Sequence, residues 1–376
     1  MRTIAMLTTS LPHDGDPSAG AFVREMAIAL ARRGVGVKLM GSVPRGRVAL
    51  PAEGVRVASV EDVDGGVFAG GGAPERLRLG ERGAHPGAWA RAARTTASLT
   101  SLAARHGRDV DGWVSHFALP SALIAGAVRG PRPHLAIVHG TDGWLLARLP
   151  RPLRRAVFAS ATRWRFTWDG MLPAAEGVRL ARPPEVAPMG YWPAEAAEVA
   201  RDVVLSVGRL VPVKRLDRAL SALSVLKAQG RGLPWVVLGD GPERSRLEAM
   251  AAAHGIDARF EGNVDAARRD AWLRRARVFL HTAGRIAGGR GEGAPVSLME
   301  AMGAGAAVVA TASGAVEWMV GEAGAVLDGD AGDVAIAEAV RVAWEAHPTG
   351  SALARERALP WRWEAQAGGI ERALWG

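Results

Sequence analysis

No cysteine occurs among the 376 residues, which excludes disulfides, thiolate metal sites and a cysteine nucleophile and fits a reducing compartment. A long apolar run is missing too. The opening "MRTIAMLTTSLPHDGD" is too short in its apolar part to span a membrane and has no signal-peptide cleavage site, so the expectation is a cytoplasmic protein. No short repeat or low-complexity tract is present. The nine histidines form no H-x-x-x-H or related ligand set, which leaves a metal hydrolase unsupported. "GDG" at 239 to 241 and the other glycine turns do not complete G-x-G-x-x-G after the first strand, which disfavours a nicotinamide enzyme. D-x-D occurs at Asp14 and Asp16, Asp62 and Asp64, Asp109 and Asp111, and Asp328 and Asp330, in loop-like contexts that read as chance. Neither a metal nor a cofactor is implied.

What is present suits a packed soluble chain: 48% hydrophobic and 23% charged residues. The length suggests two domains, and two domains usually enclose a cleft. The net charge of +9 admits an anionic partner such as a nucleotide, a nucleic acid or an acidic membrane. Because the arginines are scattered, that charge is permissive only.

The chain opens as strand, turn-rich loop, helix and strand: "IAMLTT", "SLPHDGDPSAG", "AFVREMAIALARRG" ending at Gly34, and "VGVKLMG". This β-loop-α-β unit begins a parallel, helix-covered sheet. Residues 41 to 110 carry more glycine and arginine than pattern, and a mobile loop is expected around 64 to 88. "DGWVSHFALPSALIAGAV" is a strand entering a helix, and "PHLAIVHGTDGW" is a strand with His139 at its C-terminal edge. The stretch from Arg148 to Trp168 is basic, aromatic and helix-like; it is most simply a helix packed on its sheet with arginines in water, and docking on an acidic membrane is a second reading.

After the connector "YWPAEAAEVARD" the alternation becomes regular. Strands are expected at "VVLSVGRL", "WVVLGDG", "ARFEGNV", "VFLHTA" and 306 to 311, and helices at 216 to 229, 242 to 254, 266 to 275, 295 to 303 and 333 to 345. That rhythm predicts a second doubly wound domain with its ligand at the C-terminal ends of the strands. The expected division is 1–192, 193–355 and a last helix over 356–376 returning to the first domain.

Two places hold the chemistry. In "GEGAPVSLMEAMG", Pro295 suits a helix start and Gly303 its end, so Glu292 falls in the loop and Glu300 inside the helix. The amides near Val296 to Leu298 then offer partial positive charge to a phosphate or a developing oxyanion, and the two carboxylates can accept hydrogen bonds from sugar hydroxyls. Taken alone, both acids fit equally well as solvated residues. In "VGRLVPVKRLDRAL", Arg209 lies just past a strand and Lys214 five residues on; the pair suits a diphosphate, although alone it is ordinary surface charge.

"VGRLVPVKRLDRAL", "LGDGPERSRLE", "EGNV" and "GEGAPVSLMEAMGAGAAVVAT", in this order and spacing over about 201 to 345, resemble the C-terminal domain of the retaining GT-B glycosyltransferases of family 4, including their E-x7-E motif. "DPSAGAFVREMAIALARRG" and "VHGTDG" resemble that family's acceptor domain more weakly. The resemblance implies an α/β GT-B fold, with two Rossmann-like doubly wound domains facing across a cleft. It further implies a metal-independent, retaining hexosyl transfer from a UDP-, GDP- or ADP-linked sugar to a sugar, lipid-linked or small-molecule acceptor.

By that resemblance Arg209 and Lys214 hold the donor diphosphate and Glu300 the ribose hydroxyls. Glu292 contacts the donor sugar with help from amides near Ser297 and Leu298, and the backbone about Val264 lines the base. Gly20 lets the first domain's loop approach the phosphates, and His139 bonds a sugar hydroxyl near the reacting centre. Two departures stand out: Ala19 and Gly20 replace the glycine pair of many members, and "TAGRIAGGRG" at 282 to 291 is longer than the usual linker. Other sugar-nucleotide chemistry on the same fold, such as epimerisation, and a catalytically silent sugar-nucleotide-binding protein are the alternatives. No nucleic acid partner is expected; envelope polysaccharide, glycolipid and natural-product decoration are the candidate pathways, and peripheral contact at the inner membrane face belongs to the second reading of the basic stretch.

Overall fold

Short aliphatic runs become strands covered on both faces, the pattern of a parallel sheet. The computed structural model describes residues 1–13, 19–44, 54–62, 86–194, 199–284 and 293–376. Among them, β1 (Thr3–Leu7), β2 (Gly36–Pro44), β3 (Val55–Asp62), β4 (Gly112–His116), β5 (His134–Val138), β6 (Arg163–Phe166) and β7 (Glu185–Val186) form one parallel sheet ordered β3-β2-β1-β4-β5-β6-β7. A second parallel sheet holds β8 (Val203–Val207), β9 (Trp235–Leu238), β10 (Ala258–Gly262), β11 (Ala276–His281), β12 (Ala307–Thr311) and β13 (Gly324–Leu327), ordered β10-β9-β8-β11-β12-β13. Counted from its own first strand, each sheet runs 3-2-1-4-5-6, with β7 added beyond β6 in the first, the doubly wound order whose switch point lies between strands 1 and 4.

The helices of the first unit are α1 (Ala21–Arg32), α2 (Pro86–His106), α3 (Leu123–Val128), α4 (Thr141–Arg148) and α5 (Arg151–Ala159). Those of the second are α6 (Leu216–Ala228), α7 (Arg244–Ala253), α8 (Ala266–Arg275), α9 (Val296–Ala304), α10 (Val316–Val320), α11 (Asp333–Ala346) and α12 (Ala352–Ala358). A last helix, α13 (Trp363–Trp375), packs in the first unit, where Arg33 pairs with Glu371 and Arg165 Nη1 donates to Gln366 Oε1 at 3.4 Å. The chain thus divides into Met1–Gly190 with Trp363–Gly376, and Tyr191–Arg362.

Each unit has its own core. In the first, Ala5, Leu7, Met40, Leu99, Leu102, Trp113 and Ile124 pack together; in the second, Leu220, Leu223, Trp235, Val237, Val278, Val309, Ile336 and Val340 do so. A fully buried Leu or Ile contributes about 1.5–3 kcal/mol relative to exposure.

Three expectations need correction. The helix after Pro295 does not end at Gly303 but runs to Ala304, with Gly305 in the left-handed conformation (φ 82°) as its cap. Gly303 is small for another reason: a Cβ there would lie 2.2 Å from the Tyr191 ring. Second, the basic aromatic stretch is not helical throughout. Its second half is β6, and Phe158, Trp164 and Phe166 are buried, with Trp164 Nε1 donating to Phe158 O at 3.0 Å. These rings belong to the core, and what the stretch leaves exposed is the face of α5 that carries Arg151, Leu153 and Arg155. Third, the expected loop over 64 to 88 falls mostly outside the described residues, but 86 to 88 already belong to α2.

Candidate functional site

Both switch points carry the residues of interest. In the second unit, β8 ends at Val207 and the chain turns at Gly208 (φ 153°), where a Cβ would meet Lys214 Cε at 3.0 Å. Arg209 is exposed at this turn, and buried Leu210 anchors the next step through its amide to Asp240 O at 2.8 Å. A single 3-10 turn, Pro212–Lys214, then brings Lys214 back over Gly208, and Thr282 Oγ1 donates to the carbonyls of Lys214 (3.3 Å) and Arg215 (2.8 Å). Arg209 and Lys214 come together on a recess of about 240 Å³, including space open to solvent, that the ends of β8 and β11 line with Ser206, Val207, Gly208, His281 and Thr282. Two cations flank the switch point.

Pro295 stands at the N-cap of α9, and Leu298 N–H returns to its carbonyl at 3.2 Å. As at any helix start, the leading amides, here those of Val296 and Ser297, have no carbonyl one turn back and are offered outward with the positive end of the dipole. Ser297 is half-buried and Leu298 fully buried. Glu300 is not the solvated acid its spacing alone allows: it is 8% exposed, and its Oε1 lies 3.0 Å from Arg269 Nη1 on α8. Val264 is half-buried in the turn from β10 to α8, next to Asp265, whose Oδ1 caps α8 through Arg268 N–H at 2.8 Å. Glu292 lies outside the described residues.

In the first unit, Gly20 heads α1 at φ 61°, and a Cβ there would sit 2.4 Å from Ser10 O. The glycine is thus demanded by the loop that follows β1. His139 follows β5 and is 9% exposed. Its ring lies edge to edge with that of His116, the last residue of β4, with ring centres 5.3 Å apart and planes 18° off parallel, and its Nε2 is 3.1 Å from His116 Nδ1. Phe22 and Phe117 each bring a ring centre to 4.8 Å from that of His139. Burial lowers the His139 pKa to about 3; burial, with help from His139 and Arg165, holds His116 well below its ordinary value, so both rings are neutral near pH 7.

Asp142, in the first turn of α4, ties the two strand exits together. Its Oδ1 accepts from His139 N–H and its Oδ2 from Ala118 N–H, both at 2.8 Å. Burial raises its pKa to about 6 against the opposing pull of those bonds.

Sequence reading had not singled out His116, Asp142, Phe22, Phe117 or Arg269. A histidine closing a buried strand was a signal for the first, and an acid three residues after His139 at a helix start for the second. The described residues contain no group of three or more acidic or imidazole side chains placed to hold a metal ion, and no helix long and apolar enough to cross a membrane.

A family profile for glycosyl transferases group 1 matches residues 193–347. The GDP-mannose-dependent alpha-(1-6)-phosphatidylinositol monomannoside mannosyltransferase of Mycobacterium tuberculosis is 30% identical over 288 residues, covering 69% of this chain and 74% of that protein. Among solved structures, the UDP-forming alpha,alpha-trehalose-phosphate synthase from Burkholderia xenovorans, in complex with glucose-6-phosphate, superposes with TM-score 0.74 at 17% identity over the full length of both chains. Anabaena HepE in complex with UDP and glucose gives 0.68 at 15%, covering 100% of this chain and 99% of the other. These two likenesses show the fold, GT-B, with its two parallel-sheet α/β domains. The 288-residue match to the mannosyltransferase is longer than either unit, and with three residues in ten shared along it the chain belongs to the glycosyl transferases group 1 family and is a glycosyltransferase.

Proposed function

We propose that this glycosyltransferase moves a sugar from a nucleoside-diphosphate donor to an acceptor hydroxyl with retention of anomeric configuration and without a metal ion. The observation that carries the reading is the recess at the second switch point, where Arg209 and Lys214 stand over the glycine turn after β8. Breaking the bond between sugar C1 and the phosphate oxygen leaves an oxocarbenium-like sugar and a diphosphate, whose growing charge these cations and the α9 amides would stabilise. The acceptor oxygen attacks C1 from the face the phosphate leaves, and its proton passes to the departing phosphate oxygen. No separate base is required. Glu300 would hold the ribose hydroxyls, Val264 would line the base, Glu292 would contact the donor sugar and His139 a sugar hydroxyl.

GDP-mannose is the first donor to test, because the relative that matches most of the chain is named for it. The same relative acts on a phosphatidylinositol mannoside, and on α5 Leu153 is 56% exposed between Arg151, Arg154 and Arg155. Both support a lipid-linked acceptor met at an acidic membrane surface.

The test is a thermal-shift series with UDP, GDP and ADP, followed by NMR of the product's anomeric configuration. A nucleoside diphosphate that binds only the folded chain at 100 times its Kd adds about 2.7 kcal/mol of stability, an effect expected for one of the three and lost in Arg209→Ala. No shift with any diphosphate, or an inverted product, would overturn the proposal.

A further inference from the structure

His116 and His139 form a closed pair, and neutral rings in such a pair leave few choices. Each carries one N–H. His116 Nδ1 and His139 Nε2 share a hydrogen bond at 3.1 Å, and His116 Nε2 is buried with no hydrogen-bond partner among the described residues. Were His139 the donor, His116 would have to carry its own proton on that buried Nε2, stranding an N–H. Orphaned buried N–H groups are rarer than orphaned acceptors because a donor has only one bond to make. With His116 Nδ1–H donating, only a lone pair is left without a partner. His139 must then carry its proton on Nδ1, and it is the residue of the two that keeps some exposure, 9% against 0% for His116.

We infer that His116 is a positioning residue that fixes His139 as the Nδ1–H tautomer, a hydrogen-bond donor to an oxygen of the sugar substrate and not a proton acceptor. The Nε2 lone pair of His139 is occupied by His116, and Phe22 and Phe117 pack against the His139 ring. The inference rests on the proposed role of His139 at the sugar. It deepens that role, since a fixed donor agrees with transfer in which the leaving phosphate takes the proton.

Nitrogen-15 NMR of the imidazoles in the intact, ligand-free protein reads the tautomer without any assay of activity. The expected result is a protonated Nδ1 and an unprotonated Nε2 on His139, with the reverse result overturning the inference. His116→Asn keeps an amide donor near the Nδ1 position, whereas His116→Phe keeps only the ring. In His116→Phe, kcat falls roughly tenfold, the worth of about one hydrogen bond, with KM for the donor little changed, and His116→Asn recovers most of the loss. Equal kcat in a folded His116→Phe would also overturn it. If the NMR result holds while the chain transfers no sugar, the role at the sugar fails and the tautomer stands.

Discussion

The two sheets follow one order, yet their switch points are furnished in opposite ways. At the first, between β1 and β4, burial keeps His116 and His139 neutral and packs Phe22 and Phe117 against them. At the second, between β8 and β11, Arg209 is left in water and Lys214 half so, beside a recess open to solvent. Topology thus decides where a ligand can sit, while the few residues at the strand exits decide which ligand. A buried site of neutral rings suits a sugar ring and its hydroxyls; a wet, cationic one suits a diphosphate. Replacing both Arg209 and Lys214 by Ala is the most severe way to test that division. Charge-assisted hydrogen bonds contribute roughly 1.5–3 kcal/mol each, so kcat/KM for the donor is expected to drop by about 10²- to 10⁴-fold. The unfolding midpoint without ligand stays unchanged. A wild-type rate in the double variant would mean that the second switch point is not the cationic site.

The neutral side breaks differently, through its scaffold. Asp142→Ala strands the amides of Ala118 and His139, two buried donors at the exits of β4 and β5. Leaving a buried donor unpaired costs about 1–3 kcal/mol, so the first unit should lose roughly 2–6 kcal/mol, seen as faster hydrogen exchange of β4 and β5 amides. Exchange in β8 and β11 is the internal control, and equal acceleration there would show that the two units do not respond separately.

Acid provides a milder test. His134 lies buried between Ser115 Oγ (2.8 Å) and Ser160 O (3.0 Å), and burial takes its pKa from 6.5 to about 4. A depressed folded pKa contributes stability that is complete above 6.5 and is lost as pH falls through the folded value. For His134 the full loss, from pH 6.5 to about 4, is about 3 kcal/mol (6.5 − 4 = 2.5, at 1.36 per pH step); His139 and His116 act in the same direction. Asp142 opposes them. Its pKa is raised from 3.8 to about 6, so its contribution is complete below 3.8 and lost as pH rises through 6. Three rings outweigh one carboxyl, and the first unit is expected to loosen between pH 6.5 and 4, read by circular dichroism and exchange. A first unit more stable at pH 4.5 than at 7 would refute the neutral-ring assignment.

How much of this contrast was legible in sequence follows from where each signal lies. The second unit could be read strand by strand because "VVLSV", "WVVL" and "AVVAT" are compact apolar runs between helices ended by glycine. The first unit could be read only in part: β1, β2, β4 and β5 stand out as apolar runs, but 41 to 110 did not, because α2 buries mainly Ala88, Ala92 and Ala103 beside Leu99 and Leu102, and alanines mark no stripe. Arg209 and Lys214 fall in one turn and were visible together. His116 meets His139 only because β4 pairs with β5, opposing His116 to Ile137. No local pattern encodes that pairing, nor the meeting of Arg269 with Glu300 across two helices.

That last pair gives the smallest effect and the finest division of labour within the cationic side. Arg269 also bonds Asp270, with Nε to Oδ1 at 3.0 Å, and its side chain is 27% exposed, so its hold on Glu300 is partly screened by water. Such a pair contributes about 0.2–1 kcal/mol, which predicts that Arg269→Gln weakens binding of the nucleoside diphosphate about two- to fivefold by calorimetry. Its role would be to aim the Glu300 carboxylate at the ribose, not to bind phosphate. The comparison that separates these is the 2′-deoxynucleoside diphosphate. If Arg269 works through Glu300 and the ribose, the variant loses affinity for the ribonucleotide and hardly any for the deoxy form, which lacks one of the hydroxyls that Glu300 would hold. Equal losses for both would give Arg269 the phosphate-binding role proposed for Arg209 and Lys214, and would widen the charged half of the contrast from two residues to three.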